Sequence, residues 1–352
     1  MSASLVVRES VDLSPFNTLG IRARARYFTE ASSLEQLRQA LDWANQRALE
    51  VLVLGGGSNL VFAGDVDGLV VRITISGRRW TEVDNDHAKL ILGAGECWHD
   101  AVIYAAKAGY RGIENMALIP GTAGAAPVQN IGAYGAELKD TLSSVTAWDR
   151  ENDEVVSLSN EDCCFAYRDS LFKQCPGRYI ILDVTLCLSR SAPLNLGYGD
   201  LKDYFSNRSD DKPLTPLDVA EGVMAVRRRK LPDPAVLPNV GSFFKNPVVP
   251  LETWDRLRAD FPDIAAYPAE HSVKLAAAWL IDRCGWKGFR NGKVGVHNRQ
   301  ALVLVNHAGG SGNDILLLAG RIKDDVRGRF GVELEMEPQV VLATSAASTD
   351  FQ

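Results

Sequence analysis

The chain contains 352 residues, carries a net charge of −6, and is 46% hydrophobic and 23% charged. This composition is typical of a soluble globular protein, and the length predicts two or three domains. The acidic balance argues against a nucleic-acid-binding protein, and no apolar run resembles a membrane span or a signal peptide, so we expect a cytoplasmic protein.

Cysteine and histidine spacing argues against a metal site. The six cysteines form no Cys-x-x-Cys pair, and the five histidines show no His-Glu-x-x-His arrangement. We therefore predict reduced thiols and no bound metal.

The N-terminal part of the chain has the pattern of a small α/β unit. Apolar runs at residues 26–28 and 51–54 have strand character, and residues 34–44 repeat apolar positions at helical spacing. This order predicts a βαβ unit, which a further strand at residues 69–73 completes.

The strand predicted at residues 51–54 ends in a glycine cluster. Gly55, Gly56 and Gly57 follow it directly, and Ser58 and Asn59 come next. Such a strand end suits the binding of phosphate by backbone N–H groups. The cluster contains neither Gly-x-x-x-x-Gly-Lys-Ser/Thr nor a helix-opening Gly-x-Gly-x-x-Gly, which argues against a P-loop NTPase and a Rossmann dehydrogenase.

A second glycine-rich loop, at residues 119–135, is the most informative stretch of the sequence. Its four glycines and small residues let the backbone approach a flat or anionic group, while Pro120 and Pro127 stiffen it. Gln129 and Asn130 supply amides that suit the edge of a heterocyclic ring. One such loop alone is also compatible with an ordinary surface loop, but two clusters in one chain favour a binding site.

The elements around this loop predict a sheet that carries it. A strand at residues 90–92 and a helix at 98–108 precede the loop, and strands at 145–148 and 179–186 follow it, which favours a mostly antiparallel sheet. A later helix begins at Pro216 and ends in four basic residues, 227–230. Favourable charge at a helix C-terminus explains one or two of them, and a phosphorylated ligand would use the remainder.

The C-terminal third predicts a compact α/β domain. Helices at residues 272–284 and 313–330 flank a strand at 301–305, and an acidic strand at 331–342 follows. Near its start, Gly241 and Ser242 indicate either a plain Gly-Ser turn or an exposed hydroxyl beside two aromatic residues. No His-Asp pair stands at a recognisable spacing, so a serine-hydrolase nucleophile is poorly supported.

Taken together, these segments resemble the UDP-N-acetylenolpyruvoylglucosamine reductase family of the MurB type, over nearly the whole chain. The most specific segment is Gly-Ser-Phe-Phe-Lys-Asn-Pro at residues 241–247. The run Tyr-Gly-Asp-Leu at 198–201 is similar to the subtype that covers its substrate with a tyrosine loop. The other matching segments are residues 17–20, 55–59, 119–135 and 167–172 and the closing acidic strand.

The resemblance implies an α+β fold with a two-part FAD-binding region of the vanillyl-alcohol-oxidase/PCMH type and a C-terminal α/β substrate domain. The first FAD-binding part is residues 1–75, to which a strand at 338–352 returns; the second is 76–225, and the substrate domain is 226–337. The resemblance further implies a monomer that binds FAD tightly but not covalently and uses NADPH as reductant.

The resemblance also implies a reaction. The family reduces UDP-N-acetylglucosamine enolpyruvate to UDP-N-acetylmuramate in peptidoglycan synthesis, with hydride passing from reduced FAD to the enolpyruvyl β-carbon. Arg168 would meet the carboxylate and the developing enolate, and Ser242 would donate the proton. Glu337 would act as a polarising acid, although Glu335 in the same closing segment remains an alternative.

The same resemblance assigns binding residues. Those for FAD lie in the two glycine clusters, whereas those for the sugar nucleotide are spread along the chain. The FAD set is Gly55, Gly56, Gly57, Ser58, Asn59, Pro120, Gly121, Thr122, Gly124, Ala125, Gln129, Asn130, Ile131 and Gly132. The substrate set is Tyr134, Tyr198, Lys230, Asn246 and Gln300.

Two other functions stay open at the level of sequence. One is a different FAD-dependent oxidoreductase with the same type of cofactor domain that acts on a small alcohol. The other is a module that binds a nucleotide sugar without chemistry. Ser242, Arg168 and the basic residues before Pro232 favour the nucleotide-sugar reductase.

Overall fold

The structure is a computed structural model that describes residues 5–206, 212–269 and 271–343. Within these ranges the strands are β1 (Arg8–Asp12), β2 (Arg24–Ala31), β3 (Val51–Leu54), β4 (Leu60–Phe62), β5 (Val66–Ile73), β6 (Arg78–Glu82), β7 (His87–Gly93), β8 (Gly132–Ala133), β9 (Ala136–Glu137), β10 (Leu142–Asp149), β11 (Glu154–Ser159), β12 (Tyr179–Ser189), β13 (Asn239–Ser242), β14 (Val248–Pro250), β15 (Ala266–Ala269), β16 (Ser272–Leu275), β17 (Arg290–Asn291), β18 (Val294–Val296), β19 (Val303–Asn306) and β20 (Gln339–Val341). The α-helices are α1 (Leu34–Asn45), α2 (Trp98–Lys107), α3 (Leu171–Gln174), α4 (Gly199–Ser206), α5 (Pro216–Lys230), α6 (Leu251–Asp260), α7 (Ala277–Arg283) and α8 (Gly312–Phe330).

The chain forms two compact units. Unit 1 comprises Met1–Val11, Ala25–Gly56 and Asp67–Arg229, and unit 2 comprises Asp12–Arg24, Gly57–Val66 and Lys230–Gln352. The three-part division expected from the sequence stays a prediction, and residues 344–352 of its returning strand lie outside the described residues. In the described part of the chain, no helix is both long enough and apolar enough to cross a membrane.

The main sheet of unit 1 is antiparallel. Its strand order is β11-β10-β12-β7-β6, and each neighbouring pair runs antiparallel. Most residues of β12 are buried, as expected for the central strand. Trp98, on the first turn of α2, packs in the same core and is 1% exposed. The predicted antiparallel sheet is therefore confirmed.

A second sheet in unit 1 has the order β1-β2-β5-β3, with β3 and β5 parallel. Helix α1 connects β2 to β3. The apolar spacing predicts a stripe of Leu34, Leu37, Leu41 and Ala44; the last three are buried together with Ala40, and Leu34 is half-buried. The predicted helix and the strands on either side of it are confirmed, with β5 inserted between β2 and β3 in the sheet.

Unit 2 contains a four-stranded sheet, β13-β19-β18-β17, and a three-stranded sheet, β14-β16-β15. Helix α8 buries Ile315, Leu318, Ile322 and Val326, which confirms the long amphipathic helix expected at residues 313–330. A short parallel pair joins β20 to β4.

The helix predicted for residues 272–284 is wrong in its first third. Residues Ser272–Leu275 form β16, which pairs antiparallel with both β14 and β15, and helix α7 begins only at Ala277. The residues of β16 alternate between half-buried and buried, a strand period that the alanines following it obscured. The carbonyl oxygen Oδ1 of Asn246 accepts the N–H of Ala277 at 3.0 Å, which starts the helix there.

The closing strand predicted for residues 331–342 is also shorter in the structure. Only Gln339–Val341 form a strand, and Met336 makes an isolated antiparallel bridge with Phe244. Gly331 ends α8 in the left-handed region with φ of 67°, and Pro338 lacks the N–H that a continuous strand requires.

Two glycines of α8 provide a matched test of the packing in unit 2. A Cβ at Gly312 would overlap the carbonyl oxygen of Phe62, whereas a Cβ at Gly320 would meet no atom within 4 Å. We expect Gly312→Ala to lower the free energy of unfolding by roughly 2 kcal/mol or more. Gly320→Ala should raise it by up to about 1 kcal/mol, because alanine favours helix over glycine. Urea unfolding followed by circular dichroism measures both, and equal midpoints for the two variants would contradict this packing.

Candidate active site

The two glycine clusters meet in unit 1. An added Cβ at Gly55 would lie 2.8 Å from Oγ1 of Thr122, and one at Gly56 would lie 2.8 Å from Cα of Gly121. A side chain at Gly56 would require the facing backbone to move, whereas one at Gly55 would require the Thr122 side chain to move. The structure therefore brings together residues from both clusters that the sequence predicts for FAD binding.

The backbone at this contact has donors available for a ligand. Among the described residues, no acceptor receives a hydrogen bond from the backbone N–H of Gly56, Gly121 or Thr122. All three residues are half-buried. A group of such donors on glycine-rich turns is a common binding site for phosphate oxygens. These residues fit the diphosphate of FAD.

The second loop is attached to the elements behind it. The N–H of Trp98 donates to the carbonyl oxygen of Gly121 at 3.1 Å, and the N–H of Gly124 donates to that of Ala94 at 2.9 Å. A Cβ at Gly124 would come within 2.6 Å of the Cβ of Ala94, so only glycine permits this approach. A loop fixed in advance loses little conformational entropy when a ligand binds.

Asn130 fixes the middle of the same loop. It is fully buried, has a left-handed backbone with φ of 46°, and follows the short helical turn that contains Gln129. Its Nδ2 donates to Oε2 of Glu137 at 2.9 Å and to the carbonyl oxygen of Ala166 at 3.1 Å, and its Oδ1 accepts the N–H of Lys139 at 3.0 Å. The amide thus supports the loop, and its place beside the flavin stays a prediction.

Arg168 lies on a tight turn beside this loop. Ala166 and Asp169 exchange backbone hydrogen bonds of 3.1 and 3.2 Å across the turn, and Arg168 has φ of 56°. Its guanidinium donates to the carbonyl oxygens of Asn130 at 3.4 Å and Gly132 at 3.0 Å. A left-handed non-glycine residue costs about 1–3 kcal/mol and is common at functional sites. The turn therefore holds a permanent positive charge against the predicted cofactor loop.

The other FAD residues expected in unit 1 lie along this loop with different exposure. Pro120 is exposed and Ile131 is 7% exposed, while Ala125 and Gln129 are half-buried. Ile131 accepts the N–H of Leu138 at its carbonyl oxygen, 2.9 Å away. Contacts of these residues with flavin stay predictions.

His99 accepts a backbone hydrogen bond from Leu118, the residue directly before the second glycine-rich loop. Sequence analysis did not identify this role. The N–H of Leu118 donates to Nδ1 of His99 at 3.1 Å, and Leu118 has a left-handed backbone with φ of 57°. A ring that accepts at Nδ1 carries its proton at Nε2 and is neutral. Burial lowers the pKa of His99, Arg228 and Arg227 lower it further, and Asp100 opposes them. The sequence feature that could have identified His99 is its position in the first turn of α2, a helix that leads to the second glycine-rich loop.

Two of the predicted substrate residues meet in unit 1. The rings of Tyr134 and Tyr198 contact edge to face, with centroids 5.2 Å apart at 73°. Burial raises the pKa of the Tyr134 hydroxyl, and nearby Arg227 opposes that shift. Burial also lowers the pKa of the Arg227 guanidinium. Tyr134 thus lies near Arg227, a half-buried member of the basic cluster at residues 227–230.

Ser242 ends strand β13 in unit 2 and is exposed. The preceding Gly241 has φ of 71°, and its N–H donates to Oδ1 of Asn239 at 2.8 Å. The rings of Phe243 and Phe244 lie 5.4 Å apart directly after the serine, and both are 1% exposed. The Gly-Ser turn and the exposed hydroxyl beside an aromatic core, which were alternative interpretations, therefore occur together.

The two candidate carboxylates have different surroundings. The N–H of Glu337 donates to the carbonyl oxygen of Phe243 at 2.9 Å, which places Glu337 opposite the residue after Ser242. Glu335 instead accepts a hydrogen bond from Nζ of Lys245 at 2.5 Å, and its side chain is 68% exposed. Of the two, Glu337 is thus paired through its backbone with the residue next to Ser242, and which carboxylate takes part in catalysis stays a prediction.

The last three residues of the first glycine cluster, 57–59, belong to unit 2. There Asn59 binds the backbone of the segment that contains Glu337. Nδ2 of Asn59 donates to the carbonyl oxygen of Glu337 at 3.3 Å, and the N–H of Gln339 donates to that of Asn59 at 3.0 Å. Gly57 has φ of 62°, and a Cβ there would overlap the carbonyl oxygen of Phe16. Asn59, expected to bind FAD, thus also positions a predicted catalytic residue.

The remaining predicted substrate residues take part in local structure. Asn246 starts α7 through its bond to Ala277, and Oε1 of Gln300 accepts the N–H of Leu302 at 3.3 Å. Lys230 is the last residue of α5. Contacts of these side chains with substrate stay predictions.

The cysteines are free thiols. Burial raises the pKa of Cys163 to about 12, so this thiol is inert at neutral pH. Among the described residues, no group of three or more histidine, cysteine, aspartate or glutamate side chains is arranged to hold a metal ion.

Two regions of the chain match known protein families. Residues 25–159 match the family described as FAD binding domain, and residues 233–341 match the C-terminal domain of UDP-N-acetylenolpyruvoylglucosamine reductase. A reductase of that name from Pseudomonas putida is 49% identical over 95% of this chain and 98% of its own. One from Pseudomonas aeruginosa is 50% identical over 96% of this chain and 99% of its own.

A solved structure shares the fold. The crystal structure of UDP-N-acetylenolpyruvylglucosamine reductase (MurB) from Thermus caldophilus aligns with a TM-score of 0.66 at 24% identity, over 96% of this chain and 99% of that chain. With the two family matches, this similarity confirms the predicted α+β fold of a FAD-binding region followed by a C-terminal domain.

The pKa of His99 predicts that stability depends on pH. Its pKa in the folded protein lies below the ordinary value of about 6.5 in the unfolded chain, so acid favours unfolding. The stability supported by neutral His99 is complete above about pH 6.5 and declines below it, by at most about 1.4 kcal/mol per pH unit. We expect His99→Gln, which cannot titrate, to lose less thermal stability than the wild type as pH falls from about 7 to 5.

Thermal unfolding at a series of pH values measures this effect. His271→Gln is the control, because His271 is exposed, and it should follow the wild type. Parallel curves for the wild type and His99→Gln would show that the proton on His99 plays no part.

Proposed function

The chain belongs to the UDP-N-acetylenolpyruvoylglucosamine reductase family, and we propose that it reduces UDP-N-acetylglucosamine enolpyruvate to UDP-N-acetylmuramate, with FAD as cofactor and NADPH as reductant. The observation that carries this proposal is the 49% identity to a curated reductase over 95% of the chain. The reaction supplies a precursor of peptidoglycan. We further propose that the enzyme is a monomer and that it binds FAD tightly without a covalent bond.

The FAD diphosphate is assigned to the contact between the two glycine clusters. The N–H groups of Gly56, Gly121 and Thr122 support this assignment, because none has an acceptor among the described residues. The flavin is assigned to the loop that contains Gln129, Asn130 and Ile131. Bound FAD, once reduced by NADPH, supplies the hydride that adds to the enolpyruvyl β-carbon.

Arg168 is assigned to the charge that develops on the substrate. Addition of hydride at the β-carbon leaves an electron pair on the α-carbon, which is shared with the adjacent carboxylate. The guanidinium is already held by the carbonyl oxygens of Asn130 and Gly132. A cation fixed in advance stabilises that charge without reorganising during the reaction.

Ser242 is assigned as the proton donor. Its Oγ–H bond breaks as the proton moves to the substrate α-carbon, and the serine recovers a proton from water. A serine hydroxyl is a weak acid, but a carbanion next to a carboxylate is a much stronger base. Glu337, when it carries a proton, polarises the substrate carboxylate, and its backbone bond to Phe243 supports a place near Ser242.

The remaining assignments concern the nucleotide. Lys230 and Asn246 are assigned to the substrate diphosphate, and Tyr134, Tyr198 and Gln300 to the sugar and nucleotide around it. The edge-to-face contact of the two tyrosines supports a shared role.

Isosteric variants separate the two half-reactions. In Ser242→Ala, NADPH should reduce the flavin at close to the wild-type rate, while reoxidation by the enolpyruvyl nucleotide should slow at least roughly a hundredfold, since a positioned proton donor contributes about 10²–10⁴. Glu337→Gln should slow the same half-reaction. Stopped-flow absorbance of the flavin, under anaerobic conditions, follows both steps.

Glu335→Gln is the matched control for Glu337→Gln and should leave both half-reactions near the wild-type rate. If Ser242→Ala slowed flavin reduction and flavin reoxidation by the same factor, the proton-donor assignment would be overturned. If Glu335→Gln slowed flavin reoxidation and Glu337→Gln did not, the catalytic role would belong to Glu335 instead of Glu337. If the reduced wild-type flavin is not reoxidised by the enolpyruvyl nucleotide, the proposed function itself is wrong.

A further inference from the structure

Tyr134 and Tyr198 are on different irregular segments of unit 1. Tyr134 has a left-handed backbone with φ of 50°, and the following Gly135 has φ of 80°. Tyr198 directly precedes helix α4, and its side chain is 40% exposed. Neither tyrosine lies in a long regular element, so other residues must keep their rings in edge-to-face contact.

Asn115 joins the two segments. It is 2% exposed and lies in a single helical turn, Glu114–Met116. Its Nδ2 donates to the carbonyl oxygen of Tyr134 at 2.9 Å and to that of Asn195 at 2.8 Å. One buried amide group therefore binds the backbone of both tyrosine-bearing segments.

Asn195 makes a second connection from the opposite side. Its Nδ2 donates to the carbonyl oxygen of Gly135 at 2.9 Å, and its Oδ1 accepts the N–H of Gly197 at 3.2 Å. A Cβ at Gly135 would lie 3.0 Å from this Nδ2, so the amide packs directly on the glycine. The bond to Gly197 also fixes the residue before Tyr198.

The chemistry of the amide explains why asparagine occupies both positions. An amide NH2 group donates two hydrogen bonds, and the three carbonyl oxygens that Asn115 and Asn195 bind can only accept. Aspartate has nearly the same shape but no donor, so it would face the same carbonyl oxygens with negative charge. A buried carbonyl left without a donor costs about 1–3 kcal/mol.

We propose that Asn115 and Asn195 are positioning residues that hold Tyr134 and Tyr198 in the arrangement that binds the nucleotide-sugar substrate. They act through the tyrosines and do not touch the reacting atoms. This proposal depends on the proposed function only for the identity of the substrate. The hydrogen bonds of Asn115 and Asn195 do not depend on which substrate binds. The clamp formed by Asn115 and Asn195 lowers the entropy cost of binding by ordering both rings in advance.

Asn195→Asp tests the clamp, because Asn195 is exposed and the variant keeps the acceptor for Gly197. We expect KM for the enolpyruvyl nucleotide to rise roughly three- to tenfold, as for the loss of one hydrogen bond. The rate of flavin reduction by NADPH should not change. Asn115→Asp loses two bonds and should raise KM further. In a Tyr198→Ala background, Asn195→Asp should raise KM less than it does in the wild type, because only the effect through Tyr134 remains.

Asn160→Asp is the matched control. Nδ2 of Asn160 donates to the carbonyl oxygens of Lys139 at 2.7 Å and Leu142 at 2.8 Å, so the variant loses two comparable bonds in the same unit. It should lower stability but leave KM unchanged. A KM in Asn195→Asp equal to that of the wild type, or an equal rise in Asn160→Asp, would overturn the clamp.

Hydrogen–deuterium exchange separates failure of the clamp from failure of the proposed function. Backbone N–H groups of residues 196–201 should exchange faster in Asn195→Asp than in the wild type or in Asn160→Asp, whichever substrate the enzyme uses. Unchanged exchange in these residues would overturn the clamp even if the enzyme reduces the enolpyruvyl nucleotide. Faster exchange together with an inactive wild type would support the clamp and reject the proposed substrate.

Discussion

The close approach of two backbone turns in unit 1 is the constraint on which the proposed cofactor site depends. Gly56 faces the backbone of Gly121 at a separation that accepts no side chain, and Gly55 packs against the Thr122 hydroxyl. The same contact contains backbone N–H groups without acceptors among the described residues. Because packing fixes these donors, they can bind a diphosphate without rearrangement. Here uncharged backbone N–H groups take the place of the lysine that binds phosphate in other sites.

Buried asparagines stabilise the irregular segments that carry the proposed function. An amide offers two donors and an acceptor in one plane, so one side chain can satisfy several backbone groups that lie outside helices and strands. Asn17 binds the backbone of Leu13 and Ile21, and Asn306 that of Leu19 and Gly310. Asn115 binds the backbone of Tyr134 in the same way, Asn130 that of Ala166 and Lys139 beside Arg168, and Asn239 that of Gly241 beside Ser242. The left-handed residues at these sites are held in place by such bonds.

The sequence predicts the long helices and the central strands of the main sheet, because periodic apolar positions leave a strong local signal. Many of the short strands leave no such signal, and the shared role of the two glycine clusters follows only from the family resemblance. The stripe of α8 repeats over five turns, and glycines are concentrated where backbones touch. The strand at Ser272–Leu275 was missed because its alternation covers only four residues and leads into alanines. The roles of His99 and Asn115 were missed for a different reason. Each depends on a bond to a backbone group that only the folded chain brings near, 19 residues away for Leu118 and for Tyr134.

The affinity of flavin-free protein for FAD, measured by fluorescence titration of the wild type and Gly56→Ala, is the most direct test of the glycine contact. A methyl group at residue 56 would come within 2.8 Å of Cα of Gly121 and push the two turns apart. We expect Gly56→Ala to bind FAD at least about tenfold more weakly, a loss of about 1.4 kcal/mol, with an unchanged far-ultraviolet circular dichroism spectrum. Wild-type affinity for FAD in Gly56→Ala would contradict the proposed diphosphate site.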